Sequence, residues 1–331
     1  MKIGLSRDCL NRSLALEGIL WVSLMPGAAT FLVHVFISHR ITARWTLLIP
    51  PDLQLASPKS PSKVSLPMRR MFFDTHSGPA LAKGSSAARD PRTVVAEDGK
   101  YQLFYTPFER VNAKARLVIV GITPGGTQLE NSYDALRSAA LRRLPAEEML
   151  ALVAAGGTFS GKSMRPGLVR MLDAKGVSRL MGVEDANLLW GSHSHLLHGT
   201  SVVPHAAFDR KGKKFNGSFD KILGSVAMRE SFELDFVPSL AELSEDALFI
   251  GLGVTPREAL NWCVANGHLR AEQILGTMAH PSTEGGSQLD VYLGVTPIGS
   301  LKPNDPVRLR TYLPTWSEEL GTAVHALEHS T

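Results

Sequence analysis

Cysteine is nearly absent, with only Cys9 and Cys263 in 331 residues. That scarcity excludes a disulfide framework, a cysteine-rich zinc site and a four-cysteine iron–sulfur cluster, and it predicts a cytoplasmic protein without metal or cofactor. Internal repeats are missing as well. Net charge is small, at +4, and unevenly spread: residues 1–70 sum to +6, which leaves about −2 for the remainder. A nucleic-acid partner must therefore be argued from local basic patches and not from the overall balance. What remains is ordinary for a globular chain, with 44 % hydrophobic and 20 % charged residues, 29 Gly and 20 Pro.

Long uncharged runs are also scarce. One stands out, residues 19–37, flanked by Arg7 and Arg12 before it and by Arg40 and Arg44 after it. Its length approaches that of a bilayer span, but Pro26, Gly27 and His34 interrupt it, so membrane contact through 19–37 is the weaker reading. Residues 57–67 (SPKSPSKVSLP) have the composition of a linker. The chain is expected to divide into an N-terminal extension, 1–70, and a folded domain, 71–331, with a truncation at Met68 or Met71 tolerated.

Within that domain the pattern alternates between strand and helix. The runs 116–121 (RLVIVG), 248–253 (LFIGLG) and 274–278 (ILGTM) read as buried parallel strands, and 186–208 has further strand character. Helices are predicted over 132–155, interrupted at Pro145, over 166–174, over 257–266 and over 317–327. The expected fold is α/β, a three-layer α/β/α sandwich on a mostly parallel four-stranded sheet, with its site at the carboxyl ends of the strands.

Three motifs compete for the chemistry. Residues 156–163 (GGTFSGKS) match the phosphate-loop string, but a helix-like segment precedes them where that motif needs a strand. His193, His195 and His198 are close in sequence, yet no carboxylate stands at ligand spacing beside them. The third constellation is a pair of Gly/Pro loops after two apolar strands, 121–128 (GITPGGTQ) and 279–288 (AHPSTEGGSQ). In a parallel sheet both loops emerge at one edge. Separately, Arg210, Lys211, Lys213 and Lys214 form the densest basic run of the domain, suited to phosphates.

The two loops resemble the signature motifs of the uracil-DNA glycosylase superfamily: a strand ending in G-x-x-P-G, and later a strand ending in H-P-S. Phe159-Ser160-Gly161 and the stretch from Arg165 to Gly176 are similar to the segments between those motifs, and the likeness covers roughly residues 100–330. The resemblance implies a monomeric enzyme that flips a base out of DNA and hydrolyses its N-glycosidic bond. By that likeness His280 would hydrogen-bond the departing base, and Gly121, Ile122, Pro124, Gly125 and Gln128 would form the base-contacting loop. Phe159 would stack on the base, Ser201 would end the base-reading strand, and Ser282, Thr283 and Ser287 would grip the DNA backbone. Thr123 stands where the superfamily has a water-positioning Asp, Asn or Glu. A threonine can orient water but cannot act as a carboxylate base, which leaves Glu130 or Asp134 as substitutes and the identity of the base open. Two alternatives stand beside this reading: a phage-defence glycosylase for bulky modified bases, and a nucleic-acid-binding module that has lost catalysis.

Overall fold

The computed structural model describes residues 69–281 and 286–329, together with the backbone of 18–21 and 32–35. The chain forms two compact units, Met1–Lys63 and Val64–Thr331. In the first, Gly18–Trp21 (β1) pairs antiparallel with Leu32–Val35 (β2). Two short strands thus occupy parts of the uncharged run, in place of one membrane-length helix. Among the described residues no helix is long and apolar enough to cross a membrane.

The second unit is an α/β assembly around four parallel strands. Leu117–Gly121 (β5), Leu197–Ser201 (β6), Leu248–Leu252 (β8) and Ile274–Met278 (β9) lie in the order β6-β5-β8-β9. All five residues of β5 are buried. Successive side chains of a strand point to opposite faces, so Leu117 and Ile119 enter one core with Leu168, Leu172, Trp316 and Leu320. Val118 and Val120 enter another with Phe232, Phe236, Leu260 and Cys263. Helices therefore cover both faces, as three strongly apolar parallel strands require.

The helices after β5 are Gly126–Leu141 and Ala146–Gly157; Met164–Ala174, Val254–Ala265 and Tyr312–Glu328 follow in chain order. The last packs tightly on β9, because a Cβ at Gly276 would stand only 3.1 Å from Leu320. Several begin earlier than their apolar spacing suggests, since Gly126, Met164 and Val254 add a first turn to each.

Two expectations need correction. Residues 186–208 are not one strand region: Ala186–Trp190 and Ser194–Leu196 are short 3₁₀ turns, and only then does β6 begin. A second sheet also exists, antiparallel, in which Val94–Glu97 (β3), Tyr101–Phe104 (β4) and Ala206–Asp209 (β7) lie in that order. Its β3–β4 turn carries a readable signal, Asp98-Gly99. The Asp98 carboxylate accepts from the backbone N–H groups of Lys100 and Tyr101, both at 2.8 Å.

The domain starts before Met71. Arg70 forms a two-point ion pair with Asp235, at 2.7 and 2.8 Å, and Arg69 bonds Glu242. A start at Met71 would remove both arginines, whereas a start at Met68 keeps them.

Candidate functional site

At the carboxyl ends of β5 and β6 lies an open cleft of about 260 Å³, lined by Phe108, Gln128, Thr158, Phe159, Gly199, Thr200, Ser201 and Pro204. The edge-most position of β6 and the turn of chain direction around β5 make this the region where open α/β sheets bind ligands.

Phe159 organises the cleft. Its backbone is left-handed, at φ 52°, a conformation a bulky residue rarely takes, and its ring lies against glycines on two strands. A Cβ at Gly121 would stand 3.3 Å from the ring, and one at Gly199 would stand 3.0 Å from it and 2.8 Å from Thr158. Only glycine fits at 199. The string 156–163 thus serves as a helix end followed by this ring: Gly156 and Gly157 close the Ala146–Gly157 helix, and no strand delivers the loop, so the phosphate-loop geometry is absent.

Gln128 and Ser201 are both buried in the cleft wall, and their side chains make no hydrogen bond to any described residue. The carboxamide and the hydroxyl are free to meet a ligand with donors and acceptors. Gly125 precedes the Gly126–Leu141 helix as its N-cap without a side-chain cap, leaving first-turn N–H groups for an anion. Pro124 is buried, and Ile122 extends the β5–β6 pairing by accepting from Val203 N–H at 3.0 Å.

Neither Thr123 nor His280 is among the cleft walls. The Thr123 hydroxyl donates to the His205 carbonyl at 2.7 Å and accepts from Ala207 N–H at 3.2 Å. It ties the loop after β5 to the β6–β7 connection, and its proton is not available to a water. Asp134 is likewise committed, accepting from Ser85 N–H at 2.7 Å. Glu130 is exposed, and two residues beyond Gln128 on a helix it points about 200° away from it. Neither carboxylate substitutes for the missing one.

The His280 loop packs on the Met164–Ala174 helix through Pro281, since a Cβ at Gly167 would stand 2.6 Å from the Pro281 carbonyl oxygen. Gln288 Nε2 donates to the His280 carbonyl at 2.7 Å, and Arg310 donates to the Gln288 carboxamide oxygen, so the backbone of His280 is held from behind. Ser282 and Thr283 lie outside the described residues. The Ser287 hydroxyl donates to Asp305 at 3.3 Å, which occupies it in a local contact.

Lys211, Lys213 and Lys214 are exposed at a tight turn after β7, where the Asp209 carboxylate accepts from the N–H groups of Lys211 and Lys213, both at 2.9 Å. Arg210 instead pairs with Glu97 at 3.0 Å. Arg89, which composition does not single out, stacks over Phe208 at 4.1 Å, reaches Gly212 and stands 3.8 Å from where a Cβ of Gly126 would be. It links the lysine turn to the loop after β5. Of the three clustered histidines, His193 and His195 have rings 6.0 Å apart near the surface, while His198 is buried in β6. Among the described residues no group of three metal-ligating side chains converges.

No protein-family model matches this chain, and no solved structure matches it. Over 215 residues it is 30 % identical to the uncharacterized protein YoxB of Bacillus subtilis (strain 168), an alignment that takes in 65 % of this chain and 83 % of that protein. With this identity over most of that protein's length, the chain belongs to the family of YoxB.

Proposed function

We propose that the protein is a DNA glycosylase, hydrolysing the N-glycosidic bond of a base swung out of DNA into the cleft. The observation that carries this reading is the Phe159 wall: an aromatic ring held by a left-handed backbone against Gly121 and Gly199, beside the uncommitted Gln128 and Ser201. A ring pays for such a conformation only where packing over-determines it, and the result is a flat apolar face with two polar groups at its margin, suited to a nucleobase. The uracil-DNA glycosylase-like likeness of the two loops, and helices packed on both faces of a parallel sheet, support the same reading.

In the reaction, the bond from the sugar C1′ to the base nitrogen breaks and its electron pair leaves with the base. Water adds its oxygen to C1′ and loses a proton, which the base or solvent takes up. Charge develops on the base, where the amide of Gln128 and the first-turn N–H groups of the Gly126–Leu141 helix stabilise it, joined, as the superfamily likeness of its loop implies, by the imidazole of His280. Exposed Arg89, Lys211, Lys213 and Lys214 meet the phosphates at the rim.

A second reading, a binding module without catalysis, is favoured by one observation: the cleft walls hold no carboxylate and the Thr123 proton is committed. Oligonucleotides carrying uracil, hypoxanthine or modified cytosines, treated with alkali after incubation to reveal abasic sites, separate the two. Base release is expected from at least one, with His280→Ala lowering its single-turnover rate by roughly 10²- to 10³-fold, the scale of losing one donor to a developing anion. Binding of the same duplexes without any release would establish the binding module instead.

A further inference from the structure

Arg165, in the first turn of the Met164–Ala174 helix, reaches back to the chain just before Phe159. Its Nη2 donates to the Gly156 carbonyl at 2.6 Å and to the Thr158 carbonyl at 3.1 Å. The Ala146–Gly157 helix has no basic residue in its own last turn. A helix leaves its last carbonyls without partners inside itself, and here they are met from beyond its end: Ser160 N–H donates to the Gly157 carbonyl at 3.1 Å, and Arg165 takes the carbonyls on either side of it. A cation at a helix C-terminus is favourable as well. One nitrogen therefore closes the turn that delivers the next residue, Phe159, in its left-handed backbone. The same helix also holds the ring, because Phe159 shares a core with Leu168 and Met171.

This arrangement is costly. No carboxylate pairs with Arg165 among the described residues, and burial holds its guanidinium below the usual arginine range. Its Nε is buried without a hydrogen-bond partner, and so is Nε1 of Trp190, whose ring centre lies 5.4 Å from the guanidinium. A buried donor left unpaired costs more than an ordinary hydrogen bond returns, and a neutral cap would have left no charge to desolvate. An orphaned guanidinium and a left-handed aromatic residue thus meet on one short segment. Such features persist where the surrounding structure must hold a side chain in one place, and they cluster at functional sites.

We infer that Arg165 is a positioning residue for the cleft: by holding the carbonyls of Gly156 and Thr158 it fixes the Phe159 ring as the face on which a base stacks. It acts through Phe159 and does not touch the base. The inference rests on the base-excision reading for what lies on that face, and it adds a residue that neither of the two Gly/Pro loops contains.

The test uses the full chain with Arg165→Gln, which removes the charge, and Arg165→Lys, which keeps it, each alone and combined with Phe159→Ala. Amide hydrogen exchange over residues 156–163 is expected to quicken by about tenfold in Arg165→Gln, as for one lost charge-assisted hydrogen bond, while exchange in β5 and β8 stays as in the wild type. Single-turnover release from duplexes carrying uracil, hypoxanthine or a modified cytosine should fall by about ten- to a hundredfold, the scale on which a misplaced group slows a reaction. Duplex affinity should not change, and Arg165→Lys should recover part of the rate. In the Phe159→Ala background, Arg165→Gln should cost less than about twofold more, because residues that act through one another are not additive. Unchanged exchange over 156–163, or losses from the two substitutions that multiply, would overturn the inference while base excision stands. No release by the wild type would overturn the base-excision reading, and the exchange result alone then judges whether Arg165 fixes Phe159. Thermal unfolding accompanies each assay; if Arg165→Gln does not fold, Arg165→Lys carries the same comparisons.

Discussion

On one side of β6, Gly199 and Ser201 border a cleft whose walls carry no ionisable group; on the other, His198 and Thr200 border a chamber holding two arginines, two carboxylates and two imidazoles. Adjacent residues of one strand thus face opposite kinds of environment. The two-residue period of an extended chain favours this division, although Phe108, Thr200 and Pro204 line both spaces. The difference teaches where charge is useful in this molecule. Near the Phe159 ring the available forces are stacking, amide dipoles and uncapped helix N–H groups, while the charged groups stand on the other side, where Arg70 pairs with Asp235.

The comparison breaks most severely if one member of a buried pair is removed. Arg70→Ala leaves Asp235, which is 4 % exposed, without its partner. A loss of about 3–5 kcal/mol in unfolding free energy is expected, the usual cost of an uncompensated buried charge. A chain starting at Met71 should show the same loss and one starting at Met68 should not. Denaturant titrations measure all three, and a change for Arg70→Ala below about 1 kcal/mol would mean the charged side is not a stability element.

A somewhat smaller effect comes from pH. In the folded chain both His198 and His205 stay neutral down to about pH 4, against an ordinary value of 6.5, first because they are buried. Between those values the unfolded chain binds more protons, so this contribution is complete above about pH 6.5 and is lost as pH falls toward 4. It amounts to on the order of 3 kcal/mol per histidine. Glu109, raised by burial, works in the opposite sense in the carboxylate range, where its contribution is lost as pH rises. Unfolding at pH 7.5 and at pH 4.5 should differ less in His198→Phe than in the wild type; equal differences would show that His198 is not buried neutral.

The mildest perturbation falls on the uncharged side. Gly199→Ala puts a methyl group 2.8 Å from Thr158 and 3.0 Å from the Phe159 ring. Overpacking of this size costs about 1–3 kcal/mol, and it should shift Phe159, lower base release if the proposed activity holds, and leave the pH dependence of stability unchanged. An Ala variant as stable and as active as the wild type would mean that the ring is not fixed against β6.

Much of this architecture is legible before any coordinates. The strands β5, β8 and β9 are apolar on both faces because helices cover both, and a continuous apolar run is the trace such burial leaves in a sequence. Loops at 121–128 and 279–288, Phe159, Gln128 and Ser201 are legible too, the last three as walls of the cleft. The antiparallel sheet is harder to read, since β3, β4 and β7 have four residues each and too few periods to stand out. Other features have no local trace. Phe108 reaches the cleft from before β5, Arg89 reaches the lysine turn across 123 residues, and Thr123 finds its acceptor on His205, 82 residues away. The left-handed backbone of Phe159 and the neutral state of His198 depend on what packs against them. Periodicity records which side of an element is buried; it carries no information on which distant groups complete that burial, and so the separation of the uncharged cleft from the charged chamber exists only once the chain has closed on itself.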